Sequence, residues 1–467
     1  MTDSAVTMDF HPQPGPGRAK PWTFPVPGRG ALASGLAVLR CHRPGQQVVA
    51  VEVSLDIPLD AEPDGLDGIA AIMVGALSQG TATHTAEEFT AELERCGATL
   101  DGHADYLGAR VSLEVPASRL PRALGLLTEA LHTPTFPASE VERLVSNRLD
   151  EIPIELANPG RRAAKQLAQE LFPASARLSR PRRGTEDTVA RIDAAGVRAF
   201  YQAHVHPTAA TAVIAGDLAG IDLDAVLAST LGGWAGDGAG PPPMPPVAAR
   251  DTSEVVIVDR PGAVQTQLLI GRTGPDRHDP VWPALVLGTY CLGGTLTSRL
   301  DRVLREEKGY TYGVRASQQV LRSPAPDAAG GATGASVLAI SGAVDTASTG
   351  PALADLWTVL RTLAAEGLTE TERDTAVQNL VGVAPLRYER AAAVADTLAD
   401  QVEQHLPDGY QARLYDRLAE TGAAEATAAV VAAFPADRLA TILVGDASEI
   451  GAPVEALGIG EVKVVRG

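Results

Sequence analysis

Two side chains in the second half of the sequence are spaced for oxyanion chemistry. Arg305 falls on the last turn of an expected helix, Ser298 to Glu306, in which Leu300, Val303 and Leu304 share one face. Lys308-Gly309, a basic residue followed by glycine, is a helix stop signal. Tyr310 to Val314 then reads as the start of a strand carrying Tyr312. A permanent cation and a phenol on neighbouring elements can converge on one oxygen and stabilise negative charge developing there. Gly293 and Gly294 precede the helix. Glycines at such a loop let a bound backbone approach closely, or simply form the turn into the helix.

Elsewhere the residues that could hydrolyse or ligate are badly spaced. His204-Val205-His206 is the only close histidine pair, and residues at i and i+2 do not share a helix face. Pro207 follows directly, which marks the end of an element. His84 and His103 have no acid or cysteine at ligand spacing, and there is no Gly-x-Ser-x-Gly elbow, phosphate loop or dinucleotide fingerprint. Cys41, Cys96 and Cys291 are scattered and odd in number, so neither a disulfide framework nor a thiolate zinc site is supported.

The elements that would hold these residues can be read in order. Gly35 to Arg40 and Gln46 to Ile57 are expected strands around an Arg43-Pro44-Gly45 turn. Helices are expected at Gly65 to Leu77, Ala86 to Cys96, Leu120 to His132 and Ser139 to Ile152, the last stopped by Pro153. Thr99 to Tyr106 and Gly108 to Val115 pair as strands, Asp193 to His204 is helical, and Thr211 to Gly216 is a strand ending in Gly216-Asp217. Gly232 to Pro246 is too rich in glycine and proline for a helix or central strand.

After that stretch the order restarts. Strands Val255 to Asp259 and Gln265 to Ile270 flank Arg260-Pro261-Gly262, and a helix runs from Val281 to Leu292. Val337 to Val344 is a strand and Ala352 to Leu363 a helix. Thr369 to Arg390 is helical with a break at Pro385, and Ala391 to His405 is helical. Leu439 to Val444 is a strand ending in Gly445-Asp446, the counterpart of Gly216-Asp217. The repeated punctuation points to an internal duplication of about two hundred residues. The expected fold is α+β: two similar halves, each a mainly antiparallel sheet with helices packed on one face. The expected division is a flexible tail at 1–28, a first domain at 29–231, a linker at 232–250 and a second domain at 251–467.

The bulk properties narrow the partners. A net charge of −18 and a pI near 5.0 argue against nucleic acid or an anionic membrane. No apolar run reaches the ~18 residues needed to cross a bilayer. Met1 to Gly28 has no apolar core of a signal peptide, so a cytoplasmic location is expected.

The stretch Gly293-Gly294, Ser298-Arg299-Leu300, Arg305-Glu306, Gly309 and Tyr312 resembles the arginine–tyrosine motif of the pitrilysin/insulinase/mitochondrial-processing-peptidase family of zinc peptidases. One residue more separates the glycine pair from Ser298 than in that pattern. The resemblance implies two similar halves closing like a clam shell. It also implies a His-x-x-Glu-His zinc motif on the helix after the second strand, two histidines at i and i+4 binding zinc and a glutamate activating water. Here those positions fall on Gly68, Ala71 and Ile72, and the later glutamate ligand near Glu151. None of the first three can bind a metal or move a proton.

The family also contains heterodimeric peptidases in which one subunit holds zinc and the other supplies the arginine and tyrosine. The resemblance therefore implies that this chain binds no cofactor and pairs with a homologous zinc-binding subunit. There Arg305 and Tyr312 would act at the partner's site, and Gly293 and Gly294 would admit a peptide substrate. Members that serve as structural scaffold subunits are the alternative.

Overall fold

The computed structural model describes residues 22–236, 249–323 and 334–466. Most of the expected linker and the first part of the expected tail lie outside them.

In the first half, β1 (Gly28–Ala31), β2 (Ala37–His42), β3 (Val48–Leu55), β4 (Thr99–Ala104), β5 (Ala109–Pro116) and β6 (Ala210–Gly216) form a sheet in the order β1-β2-β6-β3-β5-β4. In the second half, β7 (Val255–Asp259), β8 (Gln265–Gly274), β9 (Val314–Arg322), β10 (Ala335–Asp345), β11 (Ala440–Gly445) and β12 (Val462–Arg466) form another, in the order β12-β7-β11-β8-β10-β9. The central pairs β2–β6 and β7–β11 are parallel in both. Five strands of one sheet thus match five of the other in order and direction, which is the expected duplication. The outermost strands differ: β1 adds antiparallel to β2, and β12 adds parallel to β7.

The first half also contains α1 (Ile69–Ala76), α2 (Ala86–Cys96), α3 (Leu120–His132), α4 (Ala138–Ala157), α5 (Pro159–Leu171), α6 (Glu186–Val189), α7 (Ala194–His204) and α8 (Leu223–Ser229). The second contains α9 (Trp282–Gly293), α10 (Arg299–Asp301), α11 (Thr349–Glu366), α12 (Glu370–Gly382), α13 (Ala384–Arg387), α14 (Ala391–Glu403), α15 (Tyr410–Glu420), α16 (Ala423–Ala433) and α17 (Ala447–Glu455). Several of these elements differ from the sequence reading, among them α4 and α5. α4 does not stop at Pro153 but continues to Ala157. Pro153 lies on the exposed side, and burial of Arg148 and Ile152 beside it outweighs the one backbone bond it removes. The α5 stretch was not anticipated as a helix, although Asn158 caps it by accepting the Arg161 N–H and Pro159 opens it.

Each sheet packs its own helices on one face. On the opposite face it takes one helix from the other half. α14 lies on β3 and β6, and α5 lies on β8 and β11. Leu39, Cys41, Ala50, Val213 and Ala215 of the first sheet join the apolar cluster that includes Val394, Ala395 and Leu398 of α14. Ala163, Leu167 and Leu171 of α5 cluster with Val256, Val258, Ile442 and Val444. Burial of such side chains contributes on the order of 1.5–3 kcal/mol each, so the two halves share their cores.

A charged cluster completes the exchange. Arg110 on β5 is only 4% exposed. Its Nε and Nη2 donate to the two Glu403 carboxylate oxygens at 2.7 and 2.6 Å, Nη2 also reaches Asp400 at 2.7 Å, and Nη1 reaches Asp396 at 2.6 Å. All three acids are on α14. Glu52 lies beside them, accepting from the Ser112 hydroxyl. Burial pushes the Glu52 carboxyl up to about 7, and the Ser112 hydrogen bond and the Arg110 charge offset this only in part.

The chain from Trp22 into β1 also joins the halves, which corrects the expectation of a flexible tail as far as residue 28. The Trp22 ring stacks on Tyr388 with centroids 5.7 Å apart, Phe24 meets Tyr388 edge-on at 4.8 Å, and Arg29 pairs with Asp408 at 2.7 Å. The aromatic contacts immobilise a segment whose composition alone suggested a tail.

Arg110→Ala would leave the buried Glu403 carboxylate without its guanidinium partner, and a loss of about 3–5 kcal/mol in denaturant unfolding is expected. The folded Glu52 carboxyl holds its proton to higher pH than in the unfolded chain. Its contribution to stability is therefore full at acid pH and lost as the pH rises through about 7. In melting curves taken from pH 5 to pH 8, Glu52→Gln should remove that part of the fall.

Candidate functional site

The motif residues lie where the second half passes from α9 to the edge strand β9. α9 packs on β9, and at Gly293 the contact leaves no room for a side chain: an added Cβ would sit 2.5 Å from the Ala316 backbone nitrogen. Gly294 is constrained by its own helix, where a Cβ would lie 2.5 Å from the Tyr290 ring. Both glycines thus end a helix. Gly293 is buried and packed against β9, and Gly294 is partly exposed.

The helix expected from Ser298 to Glu306 forms in two pieces. α10 is a single α-helical turn, and Arg302–Glu307 continues it as a π-helix. π-turns are rare and often accompany functional sites. Leu300 and Leu304 are fully buried and fasten the segment to the core. The exit is tied back by the Lys308, Gly309 and Tyr310 N–H groups, which donate to the carbonyls of Val303, Arg305 and Leu304. Gly309 has φ +69°, so glycine suits this position.

Tyr312 is not on the strand, as the sequence suggested, but on the loop before it. β9 begins only at Val314, because the Asp301 carboxylate takes the Val314 N–H at 2.7 Å and the Thr311 hydroxyl accepts the Gly313 N–H at 3.0 Å. The Tyr312 side chain is 93% exposed. Neither it nor Arg305 is engaged by another side chain among the described residues.

The zinc-motif positions are placed differently from the sequence alignment. α1 begins at Ile69, and Gly68 is its N-cap with φ +97°, so no helical i, i+4 pair can start there. The register does not matter, since α1 reads Ile-Ala-Ala-Ile-Met-Val-Gly-Ala and holds no ligand in any frame. A Cβ on Gly68 would also lie 2.7 Å from the Arg183 carbonyl oxygen.

Glu151 is engaged elsewhere, 3.2 Å from Arg148 and 2.9 Å from Arg183. At the head of α1, Glu62 accepts the Gly68 and Ala70 N–H groups and pairs with Arg177 at 2.6 Å. Among the described residues no group of three or more His, Cys, Asp or Glu side chains could hold a metal ion. A zinc ion does not fit these residues.

The histidines singled out by spacing are separate. His206 is buried with Nε2 2.9 Å from the Ala203 carbonyl, and His204 rests against Phe200. His84 meets Glu129 at 2.8 Å, a pairing across 45 residues that spacing could not reveal. No helix of the described chain is long and apolar enough to cross a membrane.

Gly293→Ala should cost about 1–3 kcal/mol by forcing α9 from β9. A thermal unfolding midpoint unchanged from the parent would contradict that packing.

Comparison with known proteins places the chain. Residues 37–182 match the insulinase (peptidase family M16) domain, and residues 191–380 match the peptidase M16 inactive domain. An uncharacterized zinc protease of Streptomyces coelicolor is 25% identical over 295 residues, 61% of this chain and 63% of that protein. One of Mycobacterium leprae is 23% identical over 63% of this chain and 66% of its own length. Among solved structures, the peptidase M16 inactive domain from Pseudomonas fluorescens aligns with a TM-score of 0.80 at 22% identity, covering 90% of this chain and 98% of that one. A protease from Helicobacter pylori aligns at 0.81 and 16% identity over 90% of this chain and all of its own. The clam-shell pairing of two six-stranded halves is the fold they share, and the chain belongs to the insulinase, or M16, peptidase family.

Proposed function

We propose that this chain is the non-zinc subunit of a heterodimeric zinc endopeptidase, lending Arg305 and Tyr312 to substrate bound at a homologous partner. One observation carries the reading. The arginine–tyrosine turn is built and its two side chains are unengaged among the described residues, while α1 has no ligand in any register.

In the assembled enzyme, zinc held by the partner would supply the activated water. This chain's part is to hold the peptide and its carbonyl oxygen. The Tyr312 hydroxyl donates a hydrogen bond to that oxygen as charge gathers on it, and the Arg305 guanidinium adds a fixed cation or grips the substrate backbone. β4 and β9 are outer strands of their sheets. An extended peptide pairing along such an edge is bound largely through its backbone, and β9 starts two residues beyond Tyr312. The zinc-protease names of the relatives are consistent with peptides as substrates.

With the zinc-binding partner present, Tyr312→Phe is expected to lower kcat/KM for a reporter peptide on the order of 10²–10³-fold, and Arg305→Ala to lower it as well. Full turnover in both variants would remove the catalytic role and favour a scaffold subunit.

A further inference from the structure

Arg305 and Tyr312 reach for substrate without being held by other side chains among the described residues, so their positions depend on the backbone beneath them. Two contacts fasten that backbone. Arg299, at the start of α10, donates from Nε and Nη2 to the two Glu372 carboxylate oxygens at 2.6 and 2.8 Å, and from Nη2 to the Gly367 carbonyl at 2.6 Å. This docks the turn on the head of α12. Arg299 and the Thr369 cap hold the Glu372 carboxyl down at about 2, although burial opposes them.

The second contact is Asp301, at the end of α10. Its side chain is fully buried. Oδ1 accepts the Val314 N–H at 2.7 Å and Oδ2 accepts from Arg315 Nη1 at 2.5 Å. One carboxylate therefore ties the helix that leads into Arg305 to the strand that follows Tyr312. The eight residues 302 to 309 run out from this knot and are folded back by the Val303, Leu304 and Arg305 carbonyls.

Resting on the function proposed above, we propose that Asp301 is the positioning residue of the Arg305–Tyr312 pair, acting through the backbone and not by touching substrate. A buried carboxylate is an expensive way to join a helix to a strand, and an apolar contact would serve stability equally well. What it adds is a directional lock on the first residue of β9. Displacements of about 1 Å at such supports can cost on the order of 10² in rate.

The substitution Asp301→Asn is informative because the amide oxygen can still accept from Val314, while its NH₂ group faces the Arg315 guanidinium donor to donor. In the reconstituted complex Asp301→Asn is expected to lower kcat by about tenfold to a hundredfold with KM little changed, and Asp301→Glu to recover part of the loss. In a Tyr312→Phe, Arg305→Ala background the same substitution should have no further effect, since the groups it positions are gone. An equal loss in that background would overturn the proposal, because a merely structural defect would persist there.

A second readout needs no partner. In the full chain labelled with 3-fluorotyrosine, the Tyr312 resonance, identified by its disappearance in Tyr312→Phe, should shift or broaden in Asp301→Asn. An unchanged resonance overturns the positioning role even if the peptidase reading is correct, and a changed one supports it even if that reading fails. Arg315→Met, at a half-exposed side chain, removes the Oδ2 contact and the Nη1 hydrogen bond to the Val314 carbonyl but leaves the Oδ1–Val314 N–H bond in place. It should move the resonance in the same direction by less, and it keeps the test open if the Asp301 variants do not fold.

Discussion

The exchange of α14 for α5 is the constraint on which the architecture rests. A sheet whose second face is apolar must cover it. Here each half covers the other's, so neither core closes without the opposite half. Arg110 makes the exchange specific. A single buried guanidinium gathers three carboxylates from α14, and sliding α14 by a turn would strand charge in a low-dielectric site. The Trp22–Phe24 segment adds a third tie, from the beginning of the chain to Tyr388. The arginine–tyrosine turn therefore sits at the edge of a sheet whose relation to the first half is set by packing and charge.

The duplicated sheets also carry very different side chains at matching places. α1 and α9 occupy matching positions, after the equivalent strands β3 and β8. In the first half α1 is apolar throughout, and its capping end is filled by Glu62, Arg177, Asp67 and Arg180 paired among themselves. In the second half, the turn after α9 uses its buried polar groups to hold a backbone loop, with Asp301 and Arg299 inside, Arg305 partly buried and Tyr312 outside. The same fold thus supports a sealed surface in one half and a presented pair of polar groups in the other.

Much of this was legible in the residues. Period-two and period-3.6 patterns with Gly and Pro punctuation located α2 and α3 to the residue, as well as the break between α12 and α13 near Pro385. That Ile69 to Ala76 has no side chain able to ligate a metal can be read from the sequence directly. What sequence could not convey was long-range. Asn158-Pro159 looks like punctuation until α5 is seen crossing to the other sheet, and Trp22 looks like part of a tail until Tyr388 is beneath it. Tyr312 was misplaced onto a strand because its local pattern is that of a strand start. The Asp301 side chain, 13 residues away from Val314, decides where pairing begins.

The central claim is that this chain holds substrate for a metal it does not bind. The most direct measurement is zinc content together with turnover of a fluorogenic peptide by three purified samples: this chain, its zinc-binding homologue, and their equimolar mixture. The account predicts no stoichiometric zinc and no turnover for this chain alone, and fast, chelator-sensitive turnover only in the mixture. One equivalent of zinc and peptide cleavage by this chain by itself would contradict it.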